Sequence, residues 1–579
     1  MQRENLTEAA LVIKSVNLVN VATGEVYETS IAINRGVVVD VGCVDDLVGP
    51  STEVIDAHGL YAAPGFIDGH VHLESSHLTL SRFAEAALIH GTTSAVFDPH
   101  EIANVAGAAG VRALMTEAEA LPFGSYFTVP SCVPSAPGLE TSGAELGVDD
   151  VEGLLMEPNV VGLAEVMDYL GVLGRRAPVL SKIEAALRLM KRVDGHCPGL
   201  RGRRLANYIA AGPSSDHECI DGNEAVEKLR LGLWVMVREG SAARGLDEVL
   251  RAVLKEGLDT SRLMLVTDDL DPRDLASGYF DIRLRRAVEL GMDPVEAIKL
   301  VTLNPSTYFR LDRRAGLIAP GWRADLVILK DLRSFEVAYV TLAGRLAVSK
   351  GSLLLSLPQT EYPEQLCKTI KVSTLTPTDF VVRAHVREGE VEARAIEVCD
   401  GSLITKERRV KLKVANGLVH PSPEADVIQL SVVERHGRGG GVGRGFLSGF
   451  GLKEGAIAST YAHDAHNIVV AGASWLDMAK AVERLRELQG GYVVISRGKV
   501  EAELELKVAG LLSSERPERV ARALEEVEGA LRKLGCSLSR PLQTLSFISL
   551  PVIPKLRLTD KGLVDVEEGR IVSPVLGPT

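Results

Sequence analysis

Hydrophobic positions change their period twice along the chain. Over 11–63, short β-branched runs (Leu11-Val-Ile, Ser30-Ile-Ala-Ile, Val37-Val-Val) alternate with turn signals at Ala22-Thr-Gly24 and Asn34-Arg-Gly36. Runs of this kind bounded by Gly and Asn predict a meander of short strands. From about residue 65 to 310 the texture becomes strand then helix, repeated, with candidate strands at 65–72, 92–98, 125–129, 160–166, 193–196, 214–217, 233–238 and 263–268. Helical patterns fill the intervals, as at 81–90 and 223–231, and a last one at 294–303 carries Pro294 in its first turn. Eight such units in ~250 residues are what a (β/α)8 barrel requires.

The β texture returns over 315–350, in Pro320-Gly-Trp-Arg-Ala-Asp-Leu-Val-Ile-Leu and Val337-Ala-Tyr-Val, and predicts that this stretch completes the N-terminal β region. The segment from Pro358 to Pro363 reads as a linker, followed by mixed strand and helix with helices at 477–488 and 516–534. A chain of 579 residues exceeds one compact core. The expected division is 1–64 plus 313–357 as a discontinuous β domain, 65–312 as the barrel, and 358–579 as an α+β domain.

Candidate chemistry begins at the end of the first barrel strand. In Pro64-Gly-Phe-Ile-Asp-Gly-His70-Val-His72 the two histidines stand two apart, and on a strand residues two apart face the same side. The ends of the other predicted strands add Glu165, His196, His217 and Asp268. In a barrel these ends meet on the C-terminal face, where active sites are built. Four imidazoles and two carboxylates suit Zn, Mn or Fe. Six ligands exceed the need of one tetrahedral ion, so two divalent ions sharing a carboxylate is the economical reading.

Composition narrows the function further. The chain is 46% hydrophobic and 24% charged, with a net charge of −13, which argues against a nucleic-acid partner and fits an enzyme of small molecules. No apolar run approaches the ~18–20 residues of a membrane span. The start, Met1-Gln-Arg-Glu-Asn, lacks a signal-peptide core, so the expected location is cytoplasmic, with no membrane partner. The seven cysteines form no Cys-x-x-Cys pair and read as reduced thiols.

Several segments resemble the amidohydrolase superfamily, and within it the adenine deaminases of bacteria and archaea. They are the His-x-His strand, Pro320-Gly-Trp-Arg-Ala-Asp-Leu-Val, His70-Val-His-Leu-Glu-Ser-Ser76, His90-Gly-Thr-Thr, Asp98-Pro-His-Glu-Ile-Ala-Asn104, Asp194-Gly-His-Cys-Pro-Gly199, Ser215-Asp-His-Glu218 and Arg238-Glu-Gly-Ser-Ala-Ala-Arg244. In the last third come Gly449-Phe-Gly-Leu-Lys-Glu-Gly-Ala-Ile-Ala-Ser459, Ala462-His-Asp-Ala-His-Asn467 and the run from Pro551 to Val566. The resemblance implies an α/β fold: a (β/α)8 TIM-like barrel with a composite β-sandwich and an additional C-terminal α+β domain. It implies a metal-dependent aminohydrolase of purine salvage that converts adenine to hypoxanthine and ammonia in a homo-oligomer. The implied metal ligands are His70, His72, Glu165, His196, His217 and Asp268, holding two divalent ions, Mn or Fe ahead of Zn. Glu165 takes the place where many relatives use a carboxylated lysine. The implied catalytic residues are Asp268, as the group that moves the proton, with Glu165 and His217. A related hydrolase of another heterocycle or cyclic amide is the alternative within enzymes. A non-catalytic scaffold of this fold is the alternative outside them, and the full ligand set argues against it.

Other polar residues are candidates for substrate contact or for support of the ligands: Glu74, Asp98, His100, Glu101, Glu239, His463, Asp464 and His466. The last three suit a loop closing over a polar site. The family pattern has a basic residue and a histidine between Asp269 and the following proline; here Leu270 and Asp271 precede Pro272. Loss of two such side chains beside Asp268 is expected to change how the purine is held. The run Arg438-Gly-Gly-Gly-Val-Gly-Arg-Gly445 lacks the Lys-Ser/Thr ending of a phosphate loop and is expected to be a turn.

Overall fold

The apolar runs between 65 and 268 become the strands of one parallel sheet: β1 Phe66–His72, β2 Thr92–Phe97, β3 Gly124–Pro130, β4 Val160–Val166, β5 Arg192–Gly195, β6 Ser215–Asp216, β7 Trp234–Arg238 and β8 Leu263–Val266. Each pairs with the next in chain order. A short extension, Asp268–Asp269, then pairs parallel with β1, Asp268 opposite Val71 and Asp269 opposite His72, and closes the sheet on itself. The structure is a computed structural model and describes residues 7–576.

Closure has a polar lock. Asp68, fully buried on β1, accepts from the His70 N–H (3.1 Å), the Thr267 N–H (3.3 Å), the Thr267 hydroxyl (2.5 Å) and the Tyr279 hydroxyl (2.7 Å). A buried carboxylate is tolerated only when its lone pairs are satisfied, and three of these donors tie the first strand to Thr267, just after the last strand, and to Tyr279.

Local signals set the helix limits. Asp221 accepts the Glu224 N–H at the start of the helix Gly222–Arg230, and Asp293 caps Pro294–Lys299 with proline in the first turn. The helix predicted over 294–303 ends at Lys299 and resumes as Leu303–Phe309. The carbonyls of Leu300 and Val301 are needed elsewhere: they accept the N–H groups of Leu265 on β8 (3.1 Å) and Ile67 on β1 (2.7 Å).

Two compact units emerge. One holds the chain up to Pro99, Leu114–Cys132 and Gly147–Thr360; the other holds His100–Ala113, Val133–Leu146 and the chain from Glu361 onward. Besides the barrel, the first unit contains a nine-stranded sheet in which Leu11–Asn20 pairs antiparallel with Glu25–Asn34 and parallel with Tyr61–Pro64. Leu326–Leu329 joins it antiparallel to Tyr61–Pro64, so strands more than 250 residues apart in sequence share one apolar face.

The second unit is built on another nine-stranded sheet, with Val427–Val433 and Val442–Ser448 at its middle. The helix Trp475–Leu488 lays Met478, Ala481, Val482 and Leu485 on Ala458, Val470 and Val493 of this sheet. The glycine run forms the hairpin connection into Val442–Ser448, and Gly443 is required there because a Cβ would collide with the Thr559 carbonyl. Among the described residues the seven cysteines form no disulfide. Among the described residues no helix is long and apolar enough to cross a membrane.

Removing the lock leaves buried donors without acceptors, each worth about 1–3 kcal/mol. Asp68→Ala is therefore expected to lower the thermal midpoint of the full chain clearly and to loosen hydrogen-exchange protection in β1 and β8. Unchanged protection there would show that strand pairing alone closes the barrel.

Candidate metal centre

The strand ends deliver their side chains to one rim of the barrel. His70 and His72 end β1, Glu165 lies near the end of β4, His196 follows β5, His217 follows β6, and Asp268 begins the closing extension. All are buried except His196, whose side chain is 26% exposed, so solvent reaches the rim at that ring. Asp268 adopts φ +61°, a left-handed conformation that Asp tolerates better than most residues.

The six side chains converge. His72 Nε2 stands 3.2 Å from Asp268 Oδ1 and 3.4 Å from Glu165 Oε1, and His70 Nε2 stands 3.4 Å from the same Asp268 oxygen. On the other side Glu165 Oε2 contacts His196 Nδ1 and lies 3.1 Å from His217 Nε2. Glu165 therefore turns one oxygen to His72 and the other to His196 and His217. Asp98, at the end of β2, brings a carboxylate oxygen into the group with His70, His72 and Glu165, all ligand atoms within 4.8 Å of one another.

Hydrogen bonds behind the rings fix which nitrogens face inward. Asp194 Oδ2 contacts His70 Nδ1 at 3.2 Å and His217 Nδ1 at 3.1 Å, and His72 Nδ1 donates to the Asp98 carbonyl at 3.1 Å. Each ring thereby presents Nε2 to the rim, the arrangement in which a carboxylate or carbonyl orients a ligating histidine. His70 Nε2 is buried and makes no hydrogen bond.

The charges reinforce the geometry. Burial and His217 push His70 down, but Asp194 and Asp268 outweigh them and lift it to about 9. Burial opposes the charge on Glu165, yet His196 and His217 hold it well below the usual carboxylate range. Burial likewise opposes Asp268, which Arg238 and then His70 and His72 hold well below that range. Arg238 donates to Asp268 Oδ2 at 2.8 Å and also pairs with Glu218. Carboxylates kept ionised against imidazoles that carry protons are suited to exchange those protons for a cation. The orphaned His70 nitrogen and the mixed nitrogen and oxygen donors fit a borderline divalent ion.

Other candidate residues are placed differently. Glu74 is buried in the turn Leu73–Ser76 after β1. Glu239 accepts the Leu246 N–H at 3.0 Å at the start of the helix Leu246–Lys255. His100, Glu101, His463, Asp464 and His466 cluster within the second unit: Glu101 contacts His463 (2.9 Å) and His466, and His100 contacts Asp464 (3.1 Å). Sequence reasoning missed Asp194, although it stands two before His196, the same spacing that singled out His70 and His72. It also had no signal for the Glu218–Arg238–Asp268 chain, because ion pairing between three strand ends leaves no local pattern. Beside His217 lies a cavity of about 240 Å³, lined also by Glu218, Ile220, Met236, Arg238 and Arg244.

The barrel and its ligand-bearing rim define a metal-dependent hydrolase of C–N bonds: residues 61–347 match the amidohydrolase family, for which a divalent metal is implied, and 402–570 match the adenine deaminase C-terminal domain. An adenine deaminase of Methanococcoides burtonii is 44% identical over 96% of this chain and 94% of its own length, and one of Archaeoglobus fulgidus is 47% identical over 97% and 95%. The chain belongs to the adenine deaminase family. Among solved structures, the β-aspartyl dipeptidase of Fervidobacterium islandicum AW-1 is similar with a TM-score of 0.46 and 17% identity, over 60% of this chain and 98% of that one.

Structure explains the departure at Leu270 and Asp271. Leu270 is 0% exposed, and Asp271 caps the helix Pro272–Ser277 while its carboxylate grips Arg273 at 2.8 and 2.6 Å. Positive charge thus enters this loop at Arg273, locked to Asp271, and Leu270 serves the core. Leu270→Arg is expected to cost at least about 3 kcal/mol through an unpaired buried charge. A thermal midpoint within a degree of the parent would show that the loop can turn this side chain outward.

Proposed function

We propose that the protein hydrolyses adenine to hypoxanthine and ammonia, as a step of purine salvage, with two divalent ions, Mn or Fe, held on the barrel rim. The reading is carried by the likeness to adenine deaminases over nearly the whole chain. The two-sided Glu165 supports the ion count. One group is His70, His72 and Asp268 with Glu165 Oε1; the other is His196 and His217 with Glu165 Oε2. Divalent ions held by these residues would lower the pKa of water towards neutrality and so supply hydroxide as the nucleophile.

The chain's own residues do the rest. Asp194 keeps His70 and His217 turned so that Nε2 faces the rim. Arg238 occupies Asp268 Oδ2 and leaves Oδ1 on the side of the two histidines. As hydroxide adds to C6 of adenine and forms the new C–O bond, the C6=N1 double bond opens and N1 takes up the proton that water gave up on becoming hydroxide. Asp268 takes the proton from the added oxygen and delivers it to the 6-amino nitrogen, which leaves as ammonia when the C–N bond breaks. The cavity beside His217 offers apolar walls from Ile220 and Met236 and polar groups from Glu218, Arg238 and Arg244, as a flat heterocycle with ring nitrogens requires. Ionised Asp268 is a weak base on its own, so hydroxide must be formed before it acts.

Ammonia release from adenine, set against other purines and pyrimidines, tests the reading; turnover of another heterocycle in preference to adenine would overturn it. His70→Ala with His72→Ala is expected to abolish turnover and to lower the divalent metal content. Full occupancy in that double variant would remove β1 from the ligand set. Asp268→Asn is expected to keep the fold and lose about 10²–10⁴-fold in kcat, the usual worth of positioned proton transfer. Turnover within a few-fold of the parent would assign the proton to another group.

A further inference from the structure

The second unit carries a group of buried ligand-type side chains that the hydrolytic reading does not use. Glu101 opens the helix His100–Glu119, and His463, Asp464 and His466 follow the strand Ala456–Ser459. All four are buried. Their hydrogen bonds sort them into two roles. His466 Nδ1 accepts the Ala462 N–H at 3.0 Å, so a neutral His466 carries its proton on Nε2 and donates it to Glu101 Oε2. His100 Nε2 meets Asp464 Oδ2 at 3.1 Å. One oxygen of each carboxylate is thereby held by an imidazole. The other oxygen of each turns to His463: Glu101 Oε1 lies 2.9 Å from its Nδ1, and Asp464 Oδ1 lies 3.7 Å from the same atom.

We propose that Glu101 Oε1, His463 Nδ1 and Asp464 Oδ1 bind one further divalent cation of the Mn or Zn kind, with His466 and His100 orienting the two carboxylates. Ligands about 2.0–2.2 Å from a common ion stand roughly 3–3.5 Å apart, which the two separations bracket. The support from His466 and His100 is the carboxylate–histidine pairing that fixes ligands from behind.

A second observation points to the same occupant. Among the described residues neither Glu101 nor Asp464 pairs with a lysine or arginine. Glu140, of the same unit, is buried with Oε2 lacking a hydrogen-bond partner. Burial and then the charge of Asp464 push Glu140 up to about 8. The carboxylates of Glu101 and Asp464 thus face imidazoles and no lysine or arginine, and buried carboxylates are costly unless a cation joins them. A hard-to-borderline ion with one nitrogen and two or more oxygen ligands meets the need. Such an ion would pin the segment 462–467 to the start of the helix at 100.

The test uses the full chain equilibrated with millimolar Mn²⁺ alone and freed of excess. Expected are three Mn per chain, falling by one in Asp464→Asn and in Glu101→Gln, with an anomalous Mn peak among Glu101, His463 and Asp464 in crystals of the parent. His70→Ala with His72→Ala should leave that peak in place while removing ions from the barrel rim, so this proposal and the barrel reading fail separately. If the acidic variants do not fold, the anomalous map of the parent decides alone. Absence of the peak overturns the site, as does a Mn content that Asp464→Asn leaves unchanged.

Discussion

Eight parallel strands offer a common rim only if the last finds the first, and here that meeting is made by a buried carboxylate. Asp68 accepts from its own strand and from Thr267 and Tyr279. Thr267 is held one residue before Asp268, and the pairing of Asp268 with Val71 follows at once. The distance of Asp268 from His70 and His72 is therefore a consequence of closure. An apolar contact at this position would allow sliding, whereas directional bonds with fixed lengths do not. Strand register and ligand geometry share one cause.

Electrostatics within the rim follow from what closure brings together. Three of the rim's carboxylates lie between cationic or potentially cationic groups: Asp194 between His70 and His217, Glu165 between His72 on one side and His196 and His217 on the other, Asp268 between two imidazoles and Arg238. Alternation of this kind makes burial of so many ionisable groups possible. It also gives each carboxylate a division of labour by oxygen. For Asp268, Arg238 saturates one oxygen and leaves the other to the histidines, which makes the arginine a positioning group for the proton carrier.

Much of this was legible in the sequence where chemistry and local period coincide. The His-x-His pair follows from the two-residue repeat of a strand, and six of the eight barrel strands announce themselves by apolar runs; Arg192–Gly195, with Val193 as its one apolar side chain, does not. The strand Ser215–Asp216 is only two residues long and was read from the histidine at its end rather than from any run. What stayed hidden depends on partners distant in the chain. Asp194 looks like one more strand-end acid until His70, over 120 residues earlier, is seen against it. Leu270 looks like a lost cation until its burial is known. No local pattern marks 100–113 or 133–146 as packing with the chain beyond 361, because both segments are helical or turn-like in their own right.

Ligand-type residues gathered in one place do not all ask for an ion, and the contrast between two clusters shows why. Asp216, Cys219 and Glu224 lie as close together as many metal ligands. Lys228, however, reaches both carboxylates, at 2.7 Å and 2.5 Å, and also donates to the Cys197 carbonyl at 3.2 Å. Its ammonium, raised above the usual lysine range chiefly by Asp216 despite burial, already supplies the positive charge. That cluster is complete, and it braces the loop that carries His217. On the barrel rim and around Glu101 the groups facing each carboxylate are chiefly imidazoles, which can give up a proton. A lysine keeps its charge when a divalent ion approaches and repels it; an imidazole can surrender its proton and become a ligand. The cationic partner of each buried acid thus separates a structural ion pair from a place built to exchange protons for metal.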